Sequence, residues 1–241
     1  MDATRRYVAF DIETAKVLPE LVTDLMDYRP LGIACAAAIV SGEEDPIVWH
    51  GANGDSPAAQ MSQEEVRSLV GQFCAWADEG YTLLSWNGLG FDFNILAEES
   101  GLAEECARIA IDHVDMMFHV VCELGFPVSL GKAAEGLGLP GKAGGISGCD
   151  APVMWSQGRW HEVIEYNIQD SRLALAIALK AERQGELRWI TRRGTTGRMP
   201  LKRGWRSVRE ALETPEPDTS WMSDPPSRRD FTTWIPLELL A

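Results

Sequence analysis

The segment Tyr7-Val8-Ala9-Phe10-Asp11-Ile12-Glu13-Thr14 constrains this chain more than any other eight residues. Both parities of the run are apolar, the pattern of a strand covered on two faces. Such a strand belongs inside a sheet with helices above and below, yet this one ends in carboxylates. Residues two apart on a strand share a face, so Asp11 and Glu13 point together. Side by side at the end of a buried strand, they repel each other and are costly to desolvate. A divalent cation between them removes both penalties. The alternative is a strand that stops at Phe10 and leaves both acids in water.

The pattern downstream alternates. Leu31–Val40 and Pro46–His50 read as two more strands. Ser62-x-x-Glu65 is a capping box that opens an amphipathic helix to about Glu79, with Val66, Leu69, Val70 and Phe73 at helical spacing. Tyr81–Trp86 is a strand broken by Asn87-Gly88, and a helix from about Phe91 to Glu99 follows, ended by Gly101. Ala107–Val114 reads as containing a further short strand. The longest helix signal runs from about Trp160 to Gln184, with Gly185 where a glycine cap would end it. Strands followed by strand–helix alternation predict an α/β domain built on a mixed sheet flanked by helices.

Two further places break the hydrophobic pattern with an acid. On the long helix, Val163, Tyr166, Asp170, Leu173, Ile177 and Ala181 form one stripe, and Asp170 lies in its middle. Tyr166 and Asp170 are one turn apart on the same face. A carboxylate among apolar neighbours needs a partner, which an arginine or a backbone amide also supplies. In Leu83–Asp92 a strand runs into a glycine-containing turn, and Asp92 stands where a helix begins. Alone, Asp92 is an ordinary helix-start acid that complements the dipole. Gly88 and Gly90 make neither a GxGxxG nor a Walker pattern, which argues against a nucleotide cofactor.

Taken together, Phe10-Asp11-Ile12-Glu13-Thr14, Asn87-Gly88-x-x-Phe91-Asp92 and Tyr166-x-x-x-Asp170 resemble, in order, the three motifs of the DEDD superfamily of 3′–5′ exonucleases. The tyrosine four residues before the last aspartate is similar to the DEDDy subgroup. The chain looks most like free-standing proteins similar to the exonuclease domain of family B DNA polymerases, over about residues 5–185. The segment from Ser129-Leu130 to Leu139-Pro140-Gly141-Lys142 adds to the likeness. The resemblance implies a ribonuclease-H-like fold and a site with two divalent cations, Mg²⁺ or Mn²⁺. It implies Asp11, Glu13, Asp92 and Asp170 as metal-binding carboxylates, and Tyr166 as the group that orients the attacking water. Hard cations prefer carboxylate oxygens and retain waters, so no His or Cys is needed. The implied activity removes nucleoside 5′-monophosphates from the 3′ end of single-stranded nucleic acid, with DNA favoured. The alternatives are a ribonuclease trimming RNA 3′ ends and a non-catalytic nucleic-acid-binding protein of the same fold.

Four residues are candidate substrate contacts. Asn87 and Phe91 flank the second motif and suit hydrogen bonding and stacking on a terminal nucleotide, or equally a turn and a core position. Thr14 is a candidate for the substrate backbone or for ending the strand. Lys142, in the glycine-rich stretch 139–148, is a candidate phosphate contact or a solvated loop lysine. Asp115 is read as an ordinary turn aspartate, with a supporting role near the metals as the other reading. His113 and His119 are read as satisfied core or surface histidines.

Charge divides the chain. Its 22 basic and 36 acidic residues give a formal net charge of −14. Bulk electrostatics therefore argue against nucleic acid. Yet residues 188–209 hold eight basic side chains and no acidic one. That stretch contains Trp189 and Trp205, so it reads either as a single-strand contact or as an arm packed on the acidic main domain. The proline-rich residues 210–241 are expected to be extended or partly disordered. The expected division is an exonuclease unit at 1–186 and an extension at 187–241. Five scattered cysteines without a CxxC pair suit a reducing compartment. The longest apolar run, Leu31–Val40, has about half the length a membrane span needs. The expected location is cytoplasmic.

Overall fold

A computed structural model describes residues 5–19, 24–141 and 148–240. The opening segment forms β1 (Tyr7–Thr14), which is followed by β2 (Ile33–Val40) and β3 (Ile47–His50). A small hairpin of β4 (Ala52–Asn53) and β5 (Ser56–Pro57) precedes α1 (Gln63–Asp78). Ser62 and Glu65 make the capping box expected at the start of α1, each side chain bonding the other's backbone N–H. Then come β6 (Thr82–Ser85), α2 (Asp92–Ser100), α3 (Ala103–Asp112), β7 (Val114–Asp115), α4 (Met116–Leu124) and α5 (Leu130–Gly136). The short α6 (Ala151–Ser156) leads into α7 (Trp160–Gln184), which Gly185 ends in the left-handed conformation.

The main sheet has the order β3-β2-β1-β6-β7. β1 runs antiparallel to β2 and parallel to β6, and β6 runs parallel to β7. This is the mixed α/β sheet that the sequence predicts. Val8, Phe10 and Ile12 face one side and join the core formed with α1, α2 and α3. Tyr7 and Ala9 face the other, where α7, α4 and α5 close the second core. Strand parity therefore aims Asp11 and Glu13 at the α7 side. On β2 their pairing partners are Ala37 and Cys35. Small side chains there let α7 come close enough for Ser171 Oγ to reach the Ala37 carbonyl at 3.2 Å.

Two expectations need correction. Most of Ala107–Val114 is helix α3, and the strand begins only at Val114. Cys106, Ala107, Ile109, Ala110 and Ile111 are all buried, so an almost continuous apolar run conceals the helical period. The C-terminal residues are also more structured than their prolines suggest. β8 (Glu186–Ile190) and β9 (Thr196–Pro200) form an antiparallel hairpin, followed by α8 (Val208–Leu212) and α9 (Arg228–Thr232). Capping boxes at Ser207 and Ser227 start both helices. The Arg228 guanidinium donates to the carbonyls of Cys122, Leu212, Thr214 and Pro215 at 2.7–3.0 Å. That single side chain ties the extension to the end of α4.

Candidate active site

The C-terminal ends of β1, β6 and β7 lie along one edge of the sheet, and α7 crosses it. Asp11 and Glu13 stand at the end of β1, and Glu13 is buried. Thr14 follows a register shift at Glu13/Thr14 and is half-buried opposite Ile33. Irregular pairing of this kind re-aims side chains at the end of a strand.

Asp92 is the first residue of α2 and is buried. Its carboxylate accepts the Ile12 N–H of β1 at 3.1 Å, which joins the second acidic segment to the first. Burial pushes the Asp92 carboxyl up to about 7, against the hydrogen bond from Ile12 and with help from the Asp115 charge.

Tyr166 and Asp170 project from α7, both buried. The phenol is hydrogen-bonded to Asp170 and feels the charges of Asp170, Glu13 and Asp11. Burial first, and then these three carboxylates, drive its ionisation far above the ordinary tyrosine range. In the metal-free chain Tyr166 therefore keeps its proton and acts as a hydrogen-bond donor. The Cys35 thiol is also pushed up, by burial and then by Glu13 and Asp11, which leaves it protonated and unreactive.

The turn that carries Asp92 is pinned from several sides. Asn87 adopts φ 76°, a left-handed conformation that asparagine tolerates better than most residues. Asp115 is buried and takes three backbone N–H groups. Its Oδ1 accepts from Asn87 at 2.9 Å and Phe118 at 3.0 Å, and its Oδ2 accepts from Leu89 at 2.9 Å. Asp115 thus caps α4 and holds the turn at once. Ser85 Oγ accepts the Gly88 N–H at 3.0 Å and lies 3.0 Å from His113 Nε2. A side chain at position 88 would put Cβ 2.3 Å from Ser85 Oγ, so the turn requires glycine. From the extension, Trp234 Nε1 donates to the Leu89 carbonyl at 2.8 Å, and Phe231 lies against Gly90. Phe91 is half-buried against the α1–α3 core.

Burial keeps His113 neutral, and it is satisfied by Ser85 and the Ala110 carbonyl. His119 is pushed down to about 4 by burial and then Arg206, and it accepts the Arg206 N–H. Lys142 lies outside the described residues. A groove of about 330 Å³ borders Asp170 between α7 and Leu139–Gly141. In the basic stretch Trp189 and Trp205 are buried, so neither is a stacking platform. Arg188, Arg198, Arg206 and Arg209 are paired with carboxylates, whereas Arg192, Arg193, Lys202 and Arg203 are exposed.

One residue at the site has no signal in the sequence. Asn167, on α7 beside Tyr166, donates from Nδ2 to Asp11 Oδ2 at 2.7 Å. An asparagine on a helix has many ordinary roles, and nothing in its spacing marks it.

Among the described residues, no three His, Cys, Asp or Glu side chains stand arranged to hold a metal ion. Asp11 is bonded to Asn167, and Asp92 to Ile12. The donor chemistry nonetheless fits hard cations. Asp11, Glu13 and Asp170 all act on Tyr166, Asp11 and Glu13 act on Cys35, and buried Asp92 is bonded to Ile12 between the two β1 acids.

A family model described as RNase_H superfamily matches residues 48–180. The matched residues include Asp92, Tyr166 and Asp170, and they begin after β2. Among solved structures, the chain is similar to the family B DNA polymerase from the hyperthermophilic archaeon Pyrobaculum calidifontis. The identity is 18% and the TM-score 0.53, over 75% of this chain and 25% of that one. The chain thus spans about a quarter of the polymerase, and a likeness at that identity concerns the fold alone. No curated protein matches the chain.

Proposed function

The chain belongs to the ribonuclease H superfamily, and we propose that it is a metal-dependent 3′–5′ exonuclease acting on single-stranded nucleic acid, with DNA favoured. Membership of that superfamily supports a nuclease, and its activity, polarity, substrate and chemistry are the proposal. The observation that carries it is the meeting of acids from distant segments. Tyr166 of α7 interacts with Asp170 on its own helix and with Asp11 and Glu13 of β1, and Asp92 bonds the backbone of β1.

In this reading Asp11, Glu13, Asp92 and Asp170 hold two Mg²⁺ or Mn²⁺ ions. When bound, such ions supply the positive charge that stabilises the attacking and leaving oxygens of phosphodiester hydrolysis. Tyr166 keeps its proton and donates a hydrogen bond, which suits it to orienting water rather than to abstracting a proton. Asn87, Phe91 and Thr14 border the same edge and are the proposed substrate contacts, with Lys142 a further phosphate contact by its sequence position. The exonuclease unit is proposed to span residues 1–186. Residues 187–241 brace it through Trp234 and Arg228, and exposed Arg192, Arg193, Lys202 and Arg203 offer charge to a phosphate backbone. Among the described residues, no helix is long and apolar enough to cross a membrane. The proposed site of action is the cytoplasm.

The test uses 5′-labelled DNA and RNA of matched sequence with Mn²⁺. A ladder shortened from the 3′ end, with nucleoside 5′-monophosphates released, is the expected result. Faster shortening of RNA would favour the trimming ribonuclease. Binding without hydrolysis would favour the non-catalytic reading. Equal ladders from wild type and Asp11→Ala would refute the assignment.

A further inference from the structure

Asn167 is fully buried on α7, and its two amide atoms differ sharply in environment. Nδ2 donates to Asp11 Oδ2 at 2.7 Å. Oδ1 has no hydrogen-bond partner and is the one such buried side-chain atom among the described residues. Turning the amide over would bring Oδ1 against a carboxylate oxygen, so the Asp11 charge fixes its orientation. A buried polar atom without a partner costs stability. A leucine of similar size would avoid that cost. The backbone around Asn167 is fastened as well: Ser171 Oγ lies 3.1 Å from the Asn167 carbonyl and 3.2 Å from the Ala37 carbonyl on β2. The polar side chain is therefore held rigidly where its only bond is the one to Asp11.

We propose that Asn167 is a positioning residue. Its amide fixes the rotation of the Asp11 carboxylate and thereby sets the affinity of the site for divalent cation. This rests on the proposed function, because it assumes that Asp11 is a ligand. Groups that hydrogen-bond to metal ligands typically change metal affinity or activity about 10–100-fold when removed.

The experiment titrates Mn²⁺ into the metal-free full chain, reading free Mn²⁺ by electron paramagnetic resonance and melting temperature in parallel. Asn167→Leu is expected to stay folded without metal, since loss of the bond to Asp11 is offset in part by removal of the unpaired Oδ1. Its Mn²⁺ affinity is expected to fall about 10–100-fold, with correspondingly less stabilisation by Mn²⁺. Asn167→Ser removes the same bond by shortening the side chain, and it should lose affinity to a similar degree even if its fold is weaker. Arg159→Ala, at the exposed start of α7, is the comparison, with Mn²⁺ affinity held near wild type. If either Asn167 variant folds and binds Mn²⁺ like wild type, the inference is overturned. It is overturned equally if lost affinity merely follows the unfolded fraction of each variant. Absence of Mn²⁺ binding by wild type would instead refute the metal reading of the site.

Discussion

Replacing Asp115 by asparagine tests how the turn bearing Asp92 is held. The wild-type carboxylate accepts from Asn87 and Phe118 at Oδ1 and from Leu89 at Oδ2, at 2.9–3.0 Å. In Asp115→Asn one oxygen becomes an NH₂ donor. The less costly orientation keeps Oδ1 for Asn87 and Phe118 and sets the NH₂ against the Leu89 N–H. The reverse orientation opposes two N–H groups and is worse. The variant therefore loses at least one charge-assisted hydrogen bond, worth about 1.5–3 kcal/mol, and leaves a buried donor unpaired. A total loss of about 2–4 kcal/mol lowers the melting temperature of a chain this size by roughly 5–15 °C. The assay is thermal melting by circular dichroism in EDTA, with hydrogen exchange read at Leu89. Faster exchange at Leu89 should accompany the shift, and nuclease activity should fall at temperatures where the variant is still folded. A melting temperature within about 2 °C of wild type would refute the claim that Asp115 pins this turn.

Other perturbations reach the same site from different sides. Tyr166→Phe should lower the hydrolysis rate about 10–100-fold even at saturating Mn²⁺; a rate restored to wild type by added Mn²⁺ would contradict the water-orienting role. The Asp92 carboxyl is raised from 3.8 to about 7 by burial, so the folded chain holds a proton that the unfolded chain has already released between those pH values. Metal-free stability should then fall as pH rises through that window, and Asp92→Asn should flatten the trend in melts from pH 4 to 8. Trp234→Phe removes the bond to the Leu89 carbonyl and should cost about 1 kcal/mol, or roughly 2–4 °C in a thermal melt. An unchanged melt would place the brace elsewhere.

The acids were legible because charge interrupts apolar patterns. Asp11 and Glu13 break a two-sided strand, and Asp170 breaks a helical stripe, so each stands out against a period. The long helix and its Gly185 end were legible for the same reason. Asp115 and Asn167 lack such contrast. An aspartate ahead of a helix is a common cap, and only the fold reveals that this one also grips a turn 28 residues upstream. Asn167 is invisible without the register that sets α7 against β1, since its bond spans 156 residues. The C-terminal brace escaped because prolines and short capped helices carry no long period. In Ala107–Val114 too much hydrophobicity, rather than too little, obscured the helix.

The central claim is that segments far apart in sequence act as one hydrolytic site, and a double-mutant cycle on Asp11→Asn and Asp170→Asn tests it most directly. Residues that act as a unit are strongly non-additive in rate. With each variant shown to be folded, either substitution should reduce Mn²⁺-dependent hydrolysis of a single-stranded oligonucleotide to near background. The double variant should then be no slower than the slower single one. Losses that multiply, or a single variant that retains wild-type rate, would contradict a shared site.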